Sequence, residues 1–338
     1  MELSIIIVNW NSAEYVRGCL RSLAKFPPSK PHEILVVDSG SFDTCGEMMA
    51  REFPSAIFVQ SKDNLGFAGA NNLGASRSRG KNLLFINPDT EVLAGAVDRL
   101  LLTLSQNPDA GIVGARLLNT DGSLQTSCVQ AYPTILNQVL DADILYRAFP
   151  KSSLWGIAAL SNESNTAQPV EVISGACILI RRSVFEIVKG FDQRFFMYSE
   201  DLDLCYRVKQ AGFDCLYEPG AKITHHGGGS SSSARSMFSV VMTRESVCRY
   251  FKFNHGAGKA AAYRFTMGLA AMLRLPLVAC LWVLKKISGA KNYGAVRKWF
   301  AILRWSIGLE SWAAKKTGHG GEPSAATANQ PVNTSCAA

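Results

Sequence analysis

Short runs of apolar, β-branched residues recur through the first 120 residues, and a helix-forming pattern separates each run from the next. Leu3–Asn9 (LSIIIVN) is one unbroken apolar run, and 33–38, 56–60 and NLLFIN at 82–87 are three more. Between them, 15–25, 41–52 and the Gly- and Ala-rich GFAGANNLGASRSRG read as helices, the second capped by Ser41 or Asp43. Strands that alternate with helices pair in parallel, because each crossover returns the chain to the same edge. A parallel sheet is then covered on both faces, so its strands are continuously apolar. The expected fold class is α/β, with a mixed, mostly parallel sheet flanked by helices. Ligands of such sheets bind beyond the carboxyl ends of the strands, and those ends deliver Asn9, Asn11, Asp38, Asn64, Asn87 and Asp89.

At 338 residues and 47% hydrophobic, the chain can bury a large core. Residues 141–170 lack periodicity and read as a surface loop that could order around a ligand. Beyond it come a strand in GACILIRR, a helix in SVFEIVKG, two strands near FDCLYEP and AKITHH, and a Gly-Ser loop, 227–233, expected to fold over a diphosphate as a flap or to serve as a plain linker. The nine cysteines form no Cys-x-x-Cys pair and read as reduced, buried thiols. Met1 runs straight into a strand, so no leader peptide is expected and the place of work is the cytoplasm; Asn162 and Asn333 are then chance sequons.

The formal net charge of +8 is unevenly spread. Residues 1–234 hold 20 Lys and Arg against 24 Asp and Glu, whereas 235–318 hold 15 against 2. In 235–312 the basic residues lie among long apolar runs, which a nucleic-acid-binding surface would leave exposed, so no nucleic-acid partner is expected. The span 265–284 is long enough to cross a bilayer, but Arg274 sits centrally, at about 2.5 kcal/mol or more, and Pro276 breaks the run. Basic amphipathic helices lying on the membrane surface fit better, with Trp282, Trp299 and Trp305 at headgroup level; a spanning segment and plain packing on the body are the alternatives. From 313 to 338 the composition reads as a disordered tail.

In FFMYSEDLDLCYRVKQAG, Ser199 is placed to cap a helix whose first turn carries Glu200 and Asp201. Free amides and the helix dipole there favour the ionised form by about 0.3–1 kcal/mol. Asp203 and Arg207 make an i,i+4 pair. In INPDTEV, Asp89 places a carboxylate, a donor type that hard cations accept, just beyond the end of a strand. His225 closes a strand and is either a second ligand or a structural histidine. Asp38 either accepts hydrogen bonds from a base or ribose, or caps its own turn.

The ordered set SIIIVNWN, ILVVDSGSFDTCGEMM, KDNLGFAGANNLG, LLFINPDTEV, SGACILIRRSVFEIVKGFDQRFFMYSEDLDLCYRVKQAGF and ITHHGGGSS resembles the family 2 glycosyltransferases, in particular their rhamnosyltransferase-like branch, over roughly residues 3–250. The resemblance implies a GT-A fold in a catalytic domain, 1–234, with a donor half at about 1–120 and an acceptor half at about 121–234, followed by the membrane-associated helices. It implies sugar transfer with inversion, assisted by Mg2+ or Mn2+, from a nucleotide-sugar donor such as dTDP-rhamnose to a lipid-linked or polysaccharide acceptor at the inner face of the cell membrane. Asp38, with Asn9 and Asn11 beside it, matches the nucleoside contact; Asn64, Gly66 and Asn71 match the lining of the nucleotide site; Asn87 matches a sugar or ribose contact. Asp89 and His225 match metal ligands, although Asn87-Pro88-Asp89 stands where the family normally has Asp-x-Asp. Asp201 matches the catalytic base and Glu200 a group that orients acceptor or donor. A catalytically silent nucleotide- or glycan-binding scaffold of the same fold is the alternative. A nucleotidyltransferase or a dehydrogenase would need a Gly-rich phosphate loop after the first strand, and VNWNSAEY has none.

Overall fold

The computed structural model describes residues 1–140, 145, 148–149, 151–161, 166–227, 237–287 and 294–316. The chain runs β1 (Leu3–Asn9), α1 (Ala13–Lys25), β2 (His32–Ser39), α2 (Cys45–Glu52), β3 (Ile57–Ser61), α3 (Gly66–Arg77), β4 (Asn82–Ile86), β5 (Thr90–Val92), α4 (Ala96–Gln106) and β6 (Ala110–Leu118). It continues through β7 (Val129–Gln130), α5 (Ile135–Val139), β8 (Gln168–Val170), β9 (Val172–Ile173), β10 (Cys177–Arg181), α6 (Arg182–Ile187), α7 (Glu200–Gln210) and β11 (Asp214–His225). The C-terminal part is helical: α8 (Met237–His255), α9 (Ala257–Ile287), α10 (Gly294–Ser306) and α11 (Ser311–Lys315).

One sheet carries the fold, in the order β3-β2-β1-β4-β10-β6-β11-β5, with β8 also on β11. β1, β2, β3 and β4 are mutually parallel, as the continuous apolar runs require, and Leu3, Ile5, Ile6 and Ile7 of β1 are wholly buried. β10 enters antiparallel between β4 and β6, and β11 returns parallel to β6. The sheet is therefore mixed but mostly parallel, the expected class. Because Asn9 is in register with Asp38 and Cys177 with Ile86, the carboxyl ends of β1, β2 and β4 and the amino end of β10 share one edge. His225 of β11, paired with Thr90 of β5, completes that edge.

Several expectations shift in detail. The two strands expected near 213–226 are one strand, β11, with a register break between Glu218 and Lys222. Pro219, which has no N–H to donate, and Gly220 cause the break, and the buried Glu218 carboxylate holds it through Gly220 N, Thr103 Oγ1 and Arg99 Nε. α2 begins after Thr44; Asp43, one of the two expected caps, accepts from Cys45 N at 3.2 Å, whereas Ser41 turns its hydroxyl to Asn9. In the stretch read as a surface loop, Trp155 and Ile157 are buried. Pro276 does not end its helix, since α9 runs through it to Ile287. The side chain of Arg274 lies over the ring of Trp299, 4.6 Å from its centre, so its charge is held against α10. The expected thiols are present: Cys19, Cys45, Cys128, Cys177, Cys205 and Cys215 are free and buried, Cys248 is half-buried and Cys280 is exposed.

The helices α8, α9 and α10 pack on one another and on the body. Glu245 of α8 accepts from Arg264 Nη2 of α9 at 2.7 Å and from Trp305 Nε1 of α10 at 2.8 Å. α9 buries Tyr263, Met267, Ala270 and Ala271, and it exposes Phe265, Leu269, Met272, Leu273, Leu277 and Leu281. Among the described residues it is the one helix long and apolar enough to cross a membrane, with mean hydropathy 1.7 over Ala257–Val283. Its exposed side is thus apolar, where the expectation was a polar face opposite an apolar one. The stretch from 313 begins as helix, with Ala313 buried and its carbonyl accepting from Arg249. The remainder of the expected tail, and the Gly-Ser flap beyond Gly227, lie outside the described residues.

Candidate active site

At the ends of β1 and β2, Asn9 is fully buried and its Nδ2 donates to Asp38 Oδ2 at 2.7 Å. Its Oδ1 accepts from the backbone and hydroxyl of Ser12. Asp38 Oδ1 accepts from Ser41 N and from Gln60 Nε2. Asn11, at φ +51°, accepts from Phe42 N through its side chain and donates its own backbone N–H to Ser41 Oγ. Asn9 is thereby closed into the fold, whereas Asn11 is exposed on the edge. Asp38, Asp43 and Cys45 bring ligand atoms within 4.8 Å of one another. Each carboxylate oxygen already accepts from Asn9, Ala13 N, Ser41 N, Cys45 N or Gln60, and burial pushes the Cys45 thiol up to about 12. A protonated thiol among satisfied carboxylates is a hydrogen-bonded brace and a poor match to a hard cation.

Across β4, the start of α3 is shaped by the aromatic run that precedes α7. Gly66 has φ +66°, and a Cβ there would lie 2.5 Å from the carbonyl oxygen of Phe196, so only glycine fits. That same carbonyl accepts from Phe67 N at 3.3 Å. The exposed Asn64 accepts from Gly66 N in a short turn, while Asn71 is buried and donates to Phe67 O. The small residues of α3 therefore serve close packing, Gly66 against the Phe196 turn and Gly74 against Ile6 and Val37 of the sheet, and the Asn71 amide donates back into its own helix.

The second cluster is formed by Asp89, after β4, and His225, at the end of β11. Asp89 is 4% exposed, and its Oδ1 lies 3.3 Å from His225 Nε2. The other ring nitrogen, Nδ1, is 2.8 Å from Gln125 Oε1. A carboxylate oxygen and an imidazole nitrogen this close, with the ring's other nitrogen held by a hydrogen bond, fit a divalent cation whose shell is completed by water and phosphate oxygens. His226 points elsewhere, to Glu91 Oε1 at 2.9 Å. Beside His225 opens a cleft of about 380 Å³ lined by Asn119, Leu124, Gln125, Thr126, Ser127 and Gly227.

The third cluster is the pair opening α7. Ser199, at φ +62°, precedes the helix without a side-chain cap, and Tyr198 is also left-handed at φ +70°. Two consecutive non-glycine residues in that region cost roughly 1–3 kcal/mol each. Buried Phe195 and Phe196 on one side, and Ser246 Oγ donating to Met197 O on the other, hold the turn in place. The half-buried Asp201 accepts from Gly175 N at 2.7 Å and Leu202 N at 2.8 Å. Burial pushes its carboxyl up and outweighs those amides, which pull it down, so the helix N-terminus does not hold it at or below the ordinary aspartate value. Glu200 is buried with Oε2 unpartnered, and burial, then the Asp201 charge, lift it well above that range. The expected Asp203–Arg207 pair forms at 2.6 Å.

The last two clusters are joined by neighbouring residues. Ala176 O accepts from Asn87 N at 3.0 Å, and Gly175 N donates to Asp201. A Cβ on Gly175 would sit 3.4 Å from Asp201 Oδ2 and 3.3 Å from Phe67 Cζ, so the glycine lets α3, α7 and the β4 turn converge. Gln125 and Gly175 are the residues that sequence reasoning missed. Neither carries a signal of its own: a lone Gln after a hairpin and one Gly in SGAC are chemically ordinary until the fold closes.

Comparison with known proteins bears on the family and the fold. The model for "Glycosyl transferase family 2" matches residues 4–188. An N-acetylglucosaminyl-diphospho-decaprenol L-rhamnosyltransferase of Mycobacterium tuberculosis is 30% identical over 236 residues, covering 66% of this chain and 76% of its own. The rhamnosyltransferase WbbL of Escherichia coli K12 is 25% identical, over 70% of this chain and 86% of its own. Among solved structures, the mannosyltransferase PcManGT from Pyrobaculum calidifontis, in complex with GDP-Man and Mn2+, superposes with TM-score 0.55 at 17% identity over 92% of this chain and 87% of its own. GalNAc-T7 with UDP, GalNAc and Mn2+ gives 0.52 at 16% identity over 72% of this chain, which spans 48% of that protein.

Proposed function

This chain belongs to glycosyltransferase family 2, and on that premise we propose that it transfers a deoxyhexose of the rhamnose class from a nucleotide donor, dTDP-rhamnose or a close analogue, to a lipid-linked saccharide. The observation that carries the reading is the junction at Gly175 and Ala176, which ties the Asp89 turn and the Asp201 carboxylate to adjacent residues at the ligand edge of the sheet. Such a pair suits a one-step displacement: an attacking hydroxyl on one side of the anomeric carbon, a departing diphosphate on the other.

Asp201 accepts the proton of the acceptor hydroxyl as its oxygen attacks, and its raised affinity for protons matches that task better than an ordinary carboxylate would. Glu200, whose surroundings favour the neutral form, donates a hydrogen bond to acceptor or donor. Asp38 and Asn11 meet the nucleoside at the ends of β1 and β2, with Asn64 beside them and Asn87 toward the sugar. Asp89 and His225 would hold Mg2+ or Mn2+, and the imidazole favours Mn2+, the less hard of the two. The cation, when bound, supplies positive charge to the leaving diphosphate. No covalent sugar–enzyme intermediate is needed.

The test is transfer to a polyprenyl-diphosphate-linked acceptor across a panel of nucleotide sugars with Mn2+. Turnover with one dTDP-deoxysugar supports the reading; binding of a donor without turnover would make the chain a silent scaffold instead.

One relative is named for rhamnosyl transfer to an N-acetylglucosaminyl-diphospho-decaprenol, which supports a working place at the inner membrane face. Phe265, Leu269, Leu273, Leu277 and Leu281 would enter the interface, while the basic excess of 235–318 meets anionic headgroups. The wild-type chain is expected to sediment with vesicles containing anionic lipid. Leu273→Glu with Leu277→Glu should lower the bound fraction at least about tenfold, since each buried leucine contributes roughly 1.5–3 kcal/mol. Equal sedimentation of both would exclude α9 as the contact.

A further inference from the structure

Gln125 sits where a short hairpin returns to β6. Asn119 N donates to Ser123 O at 2.7 Å, Leu118 pairs with Leu124, and Gln125 N donates to Leu117 O at 2.9 Å, so its backbone is fixed. Its side chain then meets His225 twice. Gln125 Nε2 donates to the backbone carbonyl of His225 at 2.6 Å, and this orients the amide. The remaining atom, Oε1, faces His225 Nδ1 at 2.8 Å.

An amide oxygen only accepts, so the nitrogen facing it carries the proton. A neutral ring has one such N–H, which leaves the lone pair on Nε2, and Nε2 is the atom 3.3 Å from Asp89 Oδ1. An imidazole lone pair and a carboxylate oxygen at that separation can both be ligands of one divalent cation. We propose that Gln125 is a positioning residue that fixes the tautomer and ring plane of His225, so that His225 and Asp89 present themselves together to a divalent cation. The inference rests on the reading of Asp89 and His225 given above and extends it to a residue outside the ligand set. Partners of this kind orient metal-bound histidines and raise their basicity.

The experiment titrates Mn2+ alone into the full chain and follows the free ion by electron paramagnetic resonance. Gln125→Leu, which keeps the bulk and loses both hydrogen bonds, should weaken Mn2+ binding about 10- to 100-fold. Gln125→Glu keeps an acceptor at Nδ1 and should restore most of the affinity. If Gln125→Leu binds Mn2+ as the wild type does while His225→Ala does not, the histidine is a ligand and the role of Gln125 is overturned. If His225→Ala and Asp89→Asn also bind like the wild type, the metal reading itself fails. Should Gln125→Leu not fold, 15N chemical shifts of the His225 ring in the wild-type chain decide the matter. The proton is expected on Nδ1, and a ring protonated on Nε2 alone would overturn the proposal.

Discussion

Asp201→Asn is expected to lower the transfer rate about 10²- to 10⁴-fold, the range a positioned general base supplies, while leaving donor binding close to that of the wild type. The amide keeps the volume, but its single oxygen can accept from Gly175 N or from Leu202 N and not from both, so the melting temperature of the variant must be read beside its rate. What is lost is the capacity to take a proton. The pH profile gives a second readout. Since burial raises the Asp201 carboxyl, the acid limb of the wild-type rate should lie above the ordinary aspartate value, falling as pH drops through the raised value and the base becomes protonated. Stability has the opposite sign. Asp201 and Glu200 both bind protons more tightly folded than unfolded, so their contribution is fully present below the unfolded carboxylate values and is lost as pH rises through the folded ones. Initial rates and melting temperatures across pH check both. A variant with unchanged turnover would remove Asp201 from the chemistry.

Asp89→Asn is the other large change. With the carboxylate gone, the imidazole of His225 is left as the sole strong donor of the pair, and a hard cation loses its anionic oxygen ligand. Metal-stimulated transfer is expected to fall by about 10³-fold, several kcal/mol of lost charge stabilisation at the leaving group. Excess Mn2+ should rescue the variant only in part, and Mg2+ hardly at all, because the remaining nitrogen ligand suits the harder ion less. Rates measured against metal concentration separate a loss of affinity from a loss of turnover. Equal metal dependence in variant and wild type would mean that the cation sits elsewhere.

The parts of this fold that were legible in the sequence are those with a strong one-dimensional signal. β1, β2 and β4 are buried on both faces, so their apolar runs are continuous and mark their bounds to within a residue or so. β5, β7, β8 and β9 are two or three residues long and exist only because a partner strand is already there, so no local pattern announces them. Pro219 and Gly220 made one strand look like two, and Pro276 made one helix look broken. In both cases packing outweighed a local preference worth a few kcal/mol. For the candidate site, Asp89, Asp201 and His225 stand out as individual residues in recognisable strings. The closeness of Asp89 to His225 is set by the β5–β11 pairing, and the convergence on Gly175 by the antiparallel entry of β10. Neither follows from spacing. Asn9 shows the limit most clearly: a polar side chain at a strand end looks like a ligand contact, yet here every one of its polar atoms is engaged by the protein.

The turn before Asp201 leans on α8 throughout. Ser246 holds Met197 O, Arg249 holds Arg194 O, Asn254 holds Asp203 Oδ1, and the rings of Phe195 and Phe253 meet edge to face. Trimming the chain ahead of Met237 to gain solubility would therefore remove the scaffolding under the reacting carboxylate along with the apolar surface, leaving a sheet able to greet a nucleotide but slack where the acceptor must be deprotonated.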